Sequence, residues 1–220
     1  RGLVGSEMCI RDRSSASGHL LSATAAKRPQ EGAYGWRLQA WRRESDFANS
    51  SVAVAADRNS TTPANDQYET PATGWGVNAA LRRASRDVAG GRLEWELGAD
   101  ARFNEGETRE RFRYMNGAFT RDRIAGGETS VAGLYGEASW RDDLWLVAGG
   151  LRLDGWRNEN GRRLERDRAT GAATLDEADP DRSGEVVSAR LAARRMIGGG
   201  WAARAAAYSG FRPATLNELH

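Results

Sequence analysis

The sequence predicts an all-β protein, an antiparallel up-and-down meander that forms a partial transmembrane β-barrel, with about seven strands of a larger barrel. Three observations lead to this fold class. Apolar and polar residues alternate with a period of two through most of the chain. Short and long connections alternate between the predicted strands, and most tryptophans lie on the apolar side of the alternation.

The alternation is clearest in residues 92–103. The apolar set is Leu93, Trp95, Leu97, Ala99, Ala101 and Phe103, and the polar set is Arg92, Glu94, Glu96, Gly98, Asp100 and Arg102. Successive side chains of a strand point to opposite faces, so this sorting predicts a strand with one apolar face. A tilted barrel strand crosses a bilayer in about 9 to 11 residues, which this segment matches.

Six further segments repeat the pattern and complete the count of strands. They lie at residues 34–40, 74–82, 131–140, 144–156, 186–194 and 201–208. Both faces of 131–140 are mixed, and only the later part of 144–156 is amphipathic. Residues 34–220 are therefore predicted to form one meander.

The connections between these strands alternate in length. The short ones, rich in Gly, Asp and Arg, are residues 84–91, 141–143 and 197–200. The long and polar ones are residues 44–73, 104–128 and 157–183. Long loops on one rim and short turns on the other are typical of an up-and-down barrel that spans an outer membrane.

Tryptophan placement supports a lipid-facing surface. A lipid-face aromatic girdle is predicted at Trp36, Trp75, Trp95, Trp140, Trp145 and Trp201. The alternative is a soluble sandwich with tryptophans in its core. That fold needs a second sheet to cover the Arg and Glu side chains of the polar face, and no pattern for one is evident.

Composition is consistent with one-sided exposure of apolar residues. The 220 residues have a mean hydropathy of -0.66 and 28% charged residues, which is polar for a compact domain of this length. No apolar run approaches the roughly 18 to 20 residues of a spanning helix. Net charge is +2 and arginine is scattered through the strands, so a nucleic-acid partner is not expected.

No catalytic or metal-binding constellation is present in the sequence. His19 and His220 are the only histidines and lie far apart, and Cys9 is the only cysteine, so no intramolecular disulfide can form. The acidic cluster at residues 176–181 lacks the spacing of a calcium-binding hand and is expected to be solvated. We therefore expect no enzyme activity, no metal and no cofactor.

Charged residues of the polar face are predicted to point into the barrel lumen and to pair across neighbouring strands. These lumen-facing candidates are Arg37, Arg82, Glu94, Glu96, Asp100, Arg102, Arg152, Asp154, Arg190, Arg194 and Arg204. Arg102, Arg152 and Asp154 lie nearest the predicted outer rim. These three are the candidates for ligand contact.

The chain ends in a motif that resembles a known family. Residues 210–220 read G-F-R-P-A-T-L-N-E-L-H, which is similar to the F-R-A-P-T-L-N-E-L-Y motif of TonB-dependent outer-membrane receptors. Pro and Ala are exchanged, and His220 stands where Tyr is usual. The residues that carry the match are Gly210, Phe211, Arg212, Pro213, Thr215, Leu216, Asn217, Glu218 and Leu219. Weaker similarities occur at G-L-Y-G-E (133–137) and G-G-L-R-L-D (149–154).

The motif also has a physical interpretation. Pro213 biases Arg212 towards an extended conformation, which predicts that the strand leaves its ladder there. Thr215 and Glu218 have the spacing of a helix-capping box. The preferred role of the motif is to pin the barrel rim, in preference to direct ligand contact.

The resemblance implies a receptor of the Gram-negative outer membrane that imports a large scarce nutrient, such as a ferric siderophore, with energy supplied through TonB. It implies as partners the membrane lipid, a plug domain, the remaining barrel strands, TonB and an unidentified nutrient. The alternative functions are a passive outer-membrane pore and a structural or adhesive envelope barrel.

Domain organisation follows from the same resemblance. Residues 1–13 look like translated adapter sequence, residues 14–33 are expected to be an irregular lead-in, and residues 34–220 a partial receptor barrel. The family has a plug, a TonB-contacting segment and a barrel of about 22 strands. We therefore expect this chain to be a fragment that does not transport by itself.

Overall fold

Every regular element of the described chain is a β-strand. The computed structural model describes residues 13–30, 33–212 and 214. The strands are β1 (Arg13–Lys27), β2 (Tyr34–Val54), β3 (Thr61–Glu69), β4 (Ala72–Arg83), β5 (Arg86–Val88), β6 (Gly91–Met115), β7 (Ala118–Arg141), β8 (Trp145–Asp167), β9 (Ala173–Ala178), β10 (Arg182–Gly198) and β11 (Trp201–Tyr208). Within the described ranges, no helix has the length and apolar character needed to cross a membrane.

All the strands belong to one antiparallel sheet with the order β1-β2-β3-β6-β7-β8-β10-β11. Both β3 and β4 lie between β2 and β6, and β5 pairs with β6 where β4 ends. In the same way β9 and β10 both pair with β8. The eleven strands therefore occupy eight positions, and the predicted antiparallel meander is confirmed.

The sequence predicts about seven strands, and the eighth position in the sheet belongs to β1. This strand pairs with β2 along its whole length, from Arg13 opposite Ser50 to Lys27 opposite Trp36. The expected irregular lead-in over 14–33 is therefore wrong as far as Lys27. Small and hydroxylated residues dominate β1, so its apolar alternation is weak, and pairing with β2 decides its conformation.

The register aligns the apolar residues of successive strands in rows across one face of the sheet. One row consists of Trp36, Leu81, Leu97, Gly136, Leu151 and Ala189. The neighbouring row includes Leu134 and Val187, whose exposed fractions are 63% and 67%. In the described ranges the only buried hydrophobic residues are Ala80 and Val131. In the part of the chain that the structure describes, no second layer covers this apolar face, so the soluble-sandwich alternative is wrong.

The height of the apolar face fits a membrane. On β6 it extends from Leu93 to Phe103, and at about 3.4 Å per residue and a tilt of about 45° this segment rises roughly 24 Å. That is close to the apolar band of about 25 Å that outer-membrane barrels present. At the upper boundary Trp75 stacks on Phe103, with ring centroids 4.2 Å apart, and the next residue of β6 on this face is Glu105.

The two ends of the sheet differ. At one end, which we call the turn side, short connections at residues 89–90, 142–144 and 199–200 lie close to the apolar band. At the other end, the hairpin side, the strands continue beyond the band. Most of the predicted long loops, residues 44–73, 104–128 and 157–183, are therefore strands, and the prediction of loops there is wrong.

The β6–β7 hairpin shows how far these strands extend. Its turn is Asn116–Gly117, where both residues have positive φ (51° and 83°), as a type I′ turn requires. Tyr114 and Phe119 pack edge to face beside the turn, with ring centroids 5.3 Å apart. An Asn-Gly pair is a strong hairpin signal. It could have revealed this turn inside the predicted loop at residues 104–128.

Ion pairs between strands stabilise the hairpin side. Arg109 bonds Glu69 at 2.6 Å and Arg111 bonds Asp66 at 3.1 Å, in both cases joining β6 to β3. Strands surrounded by water on both faces need no apolar alternation. A search for period-two hydrophobicity therefore misses them, although their charges are paired across the ladder.

The apolar band predicts a depth-dependent cost for a buried charge. We expect Leu134→Arg to destabilise the complete barrel by about 2–4 kcal/mol in lipid vesicles, because Leu134 lies in the middle of the band. The control is Ser130→Arg on the same face of β7, in the row of Phe103, where the expected cost is about 0–1 kcal/mol. Urea unfolding followed by tryptophan fluorescence measures both, and equal costs would contradict the membrane depth assigned here.

Candidate functional site on the polar face

The face opposite the apolar band, which we call the polar face, carries all the predicted lumen-facing residues. The register assigns to it Arg37, Arg82, Glu94, Glu96, Asp100, Arg102, Arg152, Asp154, Arg190, Arg194 and Arg204. The predicted girdle tryptophans are on the other face. Four of them, Trp36, Trp75, Trp145 and Trp201, are 38–76% exposed, and Trp95 and Trp140 are partly exposed.

Arg152 is the centre of the strongest cluster on this face. Its Nη1 and Nη2 donate to the two carboxylate oxygens of Asp100 at 2.6 and 3.0 Å. Its Nε and Nη2 donate to Oδ1 of Asp154 at 2.9 and 2.6 Å. Asp154 is buried, and the cluster joins β6 to β8 across the intervening β7. One guanidinium thus bridges two carboxylates.

Glycine provides the space that the cluster needs. Gly133 of β7 lies in register between Asp100 and Asp154. A Cβ at Gly133 would overlap the guanidinium of Arg152 and lie 2.6 Å from Oδ1 of Asp154. A Cβ at this position would displace the Arg152 guanidinium from its place across β7, which glycine leaves open.

A tyrosine beside the cluster repeats this arrangement one row towards the turn side. The Tyr135 hydroxyl donates to Oε1 of Glu96 at 2.8 Å, and Arg152 Cζ lies 6.0 Å from the centre of its ring. The ring lies over Gly98, where a Cβ would overlap it. Both Tyr135 and Arg152 therefore lean across a glycine on the neighbouring strand.

Other predicted residues are not brought together as closely. Arg190 pairs with Glu137, whereas Glu94 is 3.7 Å from Arg141 with both side chains more than half exposed. Arg37 donates to Asn78 over a long 3.5 Å. Arg82, Arg102, Arg194 and Arg204 make no ion pair or side-chain hydrogen bond with the described part of the chain.

A second cluster on the hairpin side was missed because it lies in a predicted loop. Glu110 accepts hydrogen bonds from Nε and Nη2 of Arg123 at 2.8 and 2.5 Å, and from Nδ2 of Asn65 at 3.1 Å. Its side chain is 12% exposed, and Arg123 also lies 4.8 Å above the Phe112 ring. Extending the even-odd parity of β6 beyond Phe103 assigns Glu110 to the polar face.

Trp41 was also missed, because the predicted strand ended at residue 40. Its register partner is Gly76, which places this tryptophan on the polar face instead of the lipid face. The indole lies across Gly76, where a Cβ would be 2.8 Å from Trp41 Nε1. Trp41, Arg43, Phe47 and Arg102 line one cavity of about 960 Å³ on the hairpin side of the face.

Two carboxylates of the acidic cluster in residues 176–181 pair with arginine side chains of the chain. Asp176 accepts from Arg162 at 2.8–2.9 Å, and Glu177 accepts from Arg163 at 3.1 Å. Asp181 accepts the Asn160 backbone N–H at 3.2 Å. In the described ranges no group of three or more His, Cys, Asp or Glu side chains is arranged to hold a metal ion.

The family-like motif is described only in part. Gly210, Phe211 and Arg212 follow β11, whose ladder ends at Tyr208 with the Ser209 N–H donating to the Ala189 carbonyl at 2.9 Å. Ala189 lies in the row of Leu151, within the apolar band. Pro213 and the later motif residues Thr215, Leu216, Asn217, Glu218 and Leu219 lie outside the described residues. The role of the motif at the barrel rim stays a prediction.

The Arg152 cluster predicts a large difference between two arginines. Arg152→Met leaves Asp100 and the buried Asp154 side by side without a cation, so we expect a loss of about 3–5 kcal/mol in unfolding free energy. In the control, Arg162→Met breaks an exposed pair with Asp176, for which the expected change is about 1 kcal/mol or less. Denaturant unfolding in lipid measures both changes. Similar losses would show that the Arg152 cluster is fully solvated.

The turn that follows β8 on the hairpin side predicts a lowered pKa for Asp167. The Asp167 carboxylate accepts the Thr170 and Ala169 N–H groups at 3.0 Å and the Arg121 guanidinium. The Thr170 hydrogen bond is the largest cause that lowers the pKa of Asp167 below its ordinary value of 3.8, and the Arg121 hydrogen bond is the second. The resulting stabilisation is complete above the unfolded pKa and is lost as pH falls through the lowered folded pKa.

Carboxyl NMR in detergent tests this assignment. Asp167 should titrate below the same residue in the urea-unfolded chain. In Arg121→Gln its pKa should rise but remain lowered, because the Thr170 N–H still donates. A pKa unchanged by Arg121→Gln would contradict the ion pair.

Comparison with known proteins shows the family to which this sheet belongs. Residues 12–220 match the sequence profile of the family described as "TonB dependent receptor-like, beta-barrel". Sequence comparison with curated proteins finds no significant match.

Similar solved structures include three receptors of ferric complexes. The ferric yersiniabactin uptake receptor FyuA from Yersinia pestis has a TM-score of 0.65 and 10% identity over 89% of this chain. The ferric citrate transporter FecA has a TM-score of 0.60 and 12% identity over 89%. The ferric-catecholate import receptor Fiu from E. coli K12 has a TM-score of 0.62 and 13% identity over 92%.

The chain spans 28%, 27% and 36% of the lengths of these three proteins. Its eight strand positions therefore match only a part of each of these three proteins. The family match covers almost the whole chain, and the similar structures have the same fold as the described sheet. This chain belongs to the TonB-dependent receptor β-barrel family, whose members are outer-membrane proteins of Gram-negative bacteria.

Proposed function

We propose that this chain is a section of an outer-membrane active-transport receptor for a large scarce nutrient of the ferric-chelate class, energised through TonB. The observation that carries the proposal is the match of residues 12–220 to the receptor barrel. The apolar face contacts lipid, and the polar face lines the lumen through which the nutrient passes. Neither role requires catalysis by the protein.

The ferric-chelate class is supported by the structural relatives. FyuA, FecA and Fiu are each described as a receptor or transporter of a ferric complex. Such chelates are too large for passive pores and carry polar or charged groups. The cavity near Trp41 and Arg102 is lined by five arginines and three glutamates, and this excess of positive charge suits an anionic chelate.

The predicted ligand contacts divide into two kinds. Arg152 pairs with both Asp154 and Asp100, so the role of this cluster is to stabilise the barrel wall. Arg102 makes no ion pair with the described residues and lies on the hairpin side of the polar face. Of the three candidates, we propose Arg102 as the one that contacts the chelate.

The proposed receptor includes parts supplied by a longer protein. In the described part of the chain, β1 and β11 each have a neighbour on one side only. Unpaired strand edges in a membrane leave backbone groups without partners, so further strands must cover them. A plug domain must close the wide lumen, and an N-terminal segment must contact TonB.

Iron-uptake measurements on the complete receptor test the proposal. In a host that lacks its own ferric-chelate receptors, we expect expression of the complete gene to restore uptake of radiolabelled ferric chelates. Loss of TonB should abolish uptake, because transport against a gradient needs the coupled energy. Arg102→Gln should reduce chelate affinity, whereas Arg162→Gln on the outer surface should not.

The alternatives give different results. A passive pore would admit small solutes without TonB, and an adhesive or structural barrel would admit none. Either result with a correctly folded protein would refute the transport proposal.

A further inference from the structure

The apolar face carries unpaired cations at its turn-side boundary. They are Lys27, Arg83, Arg86 and Arg195, whose side chains make no ion pair or hydrogen bond with the described residues. We infer that these cations, together with the aromatic rings beside them, bind phospholipids whose headgroup has a net negative charge. The inference concerns the lipid partner of the barrel, so it goes beyond the proposed transport function.

The strand register assigns all four cations to the apolar face. The opposed pairs are Lys27 with Trp36, Arg83 with Tyr34, Arg86 with Leu93, and Arg195 with Trp145. The nearby carboxylates Asp87, Glu94 and Glu96 lie on the polar face. In the described strands, no carboxylate takes an apolar-face position at this boundary. The positive charge there is therefore uncompensated.

Arg83 and Arg86 form the larger of two cationic sites. Arg86 is opposite Leu93, and extending the β4–β6 register by one residue makes Arg83 level with Trp95. At about 3.4 Å per residue the two arginines are roughly 7 Å apart, so one phosphate can lie between them. The Arg83 Cζ lies 5.2 Å from the Tyr34 ring centre, and the Tyr34 ring packs edge to face on Trp95 with centroids 6.1 Å apart.

Arg195 repeats this arrangement between β8 and β10. Its Cζ lies 5.1 Å from the Trp145 ring centre, and the residue is exposed. A guanidinium that stacks on an aromatic ring keeps N–H donors free at its edge, and these donors match phosphate oxygens. Each site thus combines a phosphate-binding cation with an aromatic ring of the kind that is enriched at headgroup level.

The hairpin-side boundary of the same face has the opposite charge. Glu105 of β6, Glu128 of β7 and Glu159 of β8 are in register there. Like charges directly opposite each other repel, and an anionic headgroup would add to that repulsion. The short turns of outer-membrane barrels face the periplasm, so the cations meet the inner leaflet. The two boundaries of the apolar face therefore favour different headgroups.

A headgroup with a net negative charge fits the cationic sites better than a zwitterionic one. Phosphatidylglycerol presents its phosphate without a cation, whereas the ammonium group of phosphatidylcholine is repelled by the arginines. Each cation near an anionic surface strengthens binding by about fivefold. Arg83 and Arg86 together should therefore give a stronger preference than Arg195 alone. An acidic protein is a poorer occupant, because the apolar band continues directly beside the cations.

Photocrosslinking of the complete receptor in phosphatidylcholine vesicles tests the inference. The probes are trace amounts of photoactivatable phosphatidylglycerol or phosphatidylcholine with identical acyl chains, and mass spectrometry of peptides locates the label. Phosphatidylglycerol should label residues 83–95 more than phosphatidylcholine does, by about tenfold or more, and the peptide of Trp145 by about fivefold. High salt should reduce both ratios, because it screens the cations.

Variants separate the two sites. Arg83→Gln/Arg86→Gln should abolish the preference at residues 83–95 and leave the preference at Trp145, and Arg195→Gln should do the converse. Arg83→Lys/Arg86→Lys should retain most of the preference because the charge remains. The matched control is Arg82→Gln, one residue away on the polar face, which should change neither ratio.

Three results would overturn the inference. They are equal labelling by the two probes in the unaltered receptor, a preference at residues 83–95 that survives Arg83→Gln/Arg86→Gln, and an equal loss in Arg82→Gln. Uptake of ferric chelate by the unaltered receptor tests the proposed function separately. A receptor that transports normally but labels equally with both probes disproves the lipid preference alone.

Discussion

The structure depends on the need to satisfy every backbone hydrogen bond within the sheet where one face meets hydrocarbon. A β-ladder does this without helices, and its side chains then alternate strictly between lipid and the opposite face. Leu134, Leu151 and Val187 can be about two-thirds exposed because lipid covers them in place of a protein core. The same ladder gathers charged residues of distant sequence position on the polar face.

Pairing of charges on the polar face requires space as well as register. Asp100 and Arg152 are on strands separated by β7, so no direct cross-strand pair joins them. Gly133 leaves the gap through which the guanidinium reaches both Asp100 and Asp154. Tyr135 over Gly98 and Trp41 over Gly76 follow the same rule. Glycines on this face thus leave space in which long side chains of a neighbouring strand can lie, and at Gly133 this space lets Arg152 reach a strand that is not its neighbour.

The regions of the polar face differ in whether their arginines are paired with carboxylates. Around Arg152 and around Glu110, ion pairs join cations to carboxylates and stabilise the wall of the barrel. Near Arg102, and near Arg194 and Arg204, arginines are left without carboxylates of the described chain. The first unpaired site lies on the hairpin side of the polar face, and the second lies on its turn side.

The sequence by itself determined the strand faces, the side on which the six predicted tryptophans lie and the family, because alternation between hydrocarbon and water is local and has a period of two. It identified Asp100, Arg152 and Asp154 as members of one face. Only the tertiary structure decided that they form one cluster, since register and the gap at Gly133 depend on pairing between strands. Only the structure showed that β1 and the hairpins are strands, because segments wetted on both faces carry no apolar period and are held by cross-strand pairs such as Arg111 with Asp66.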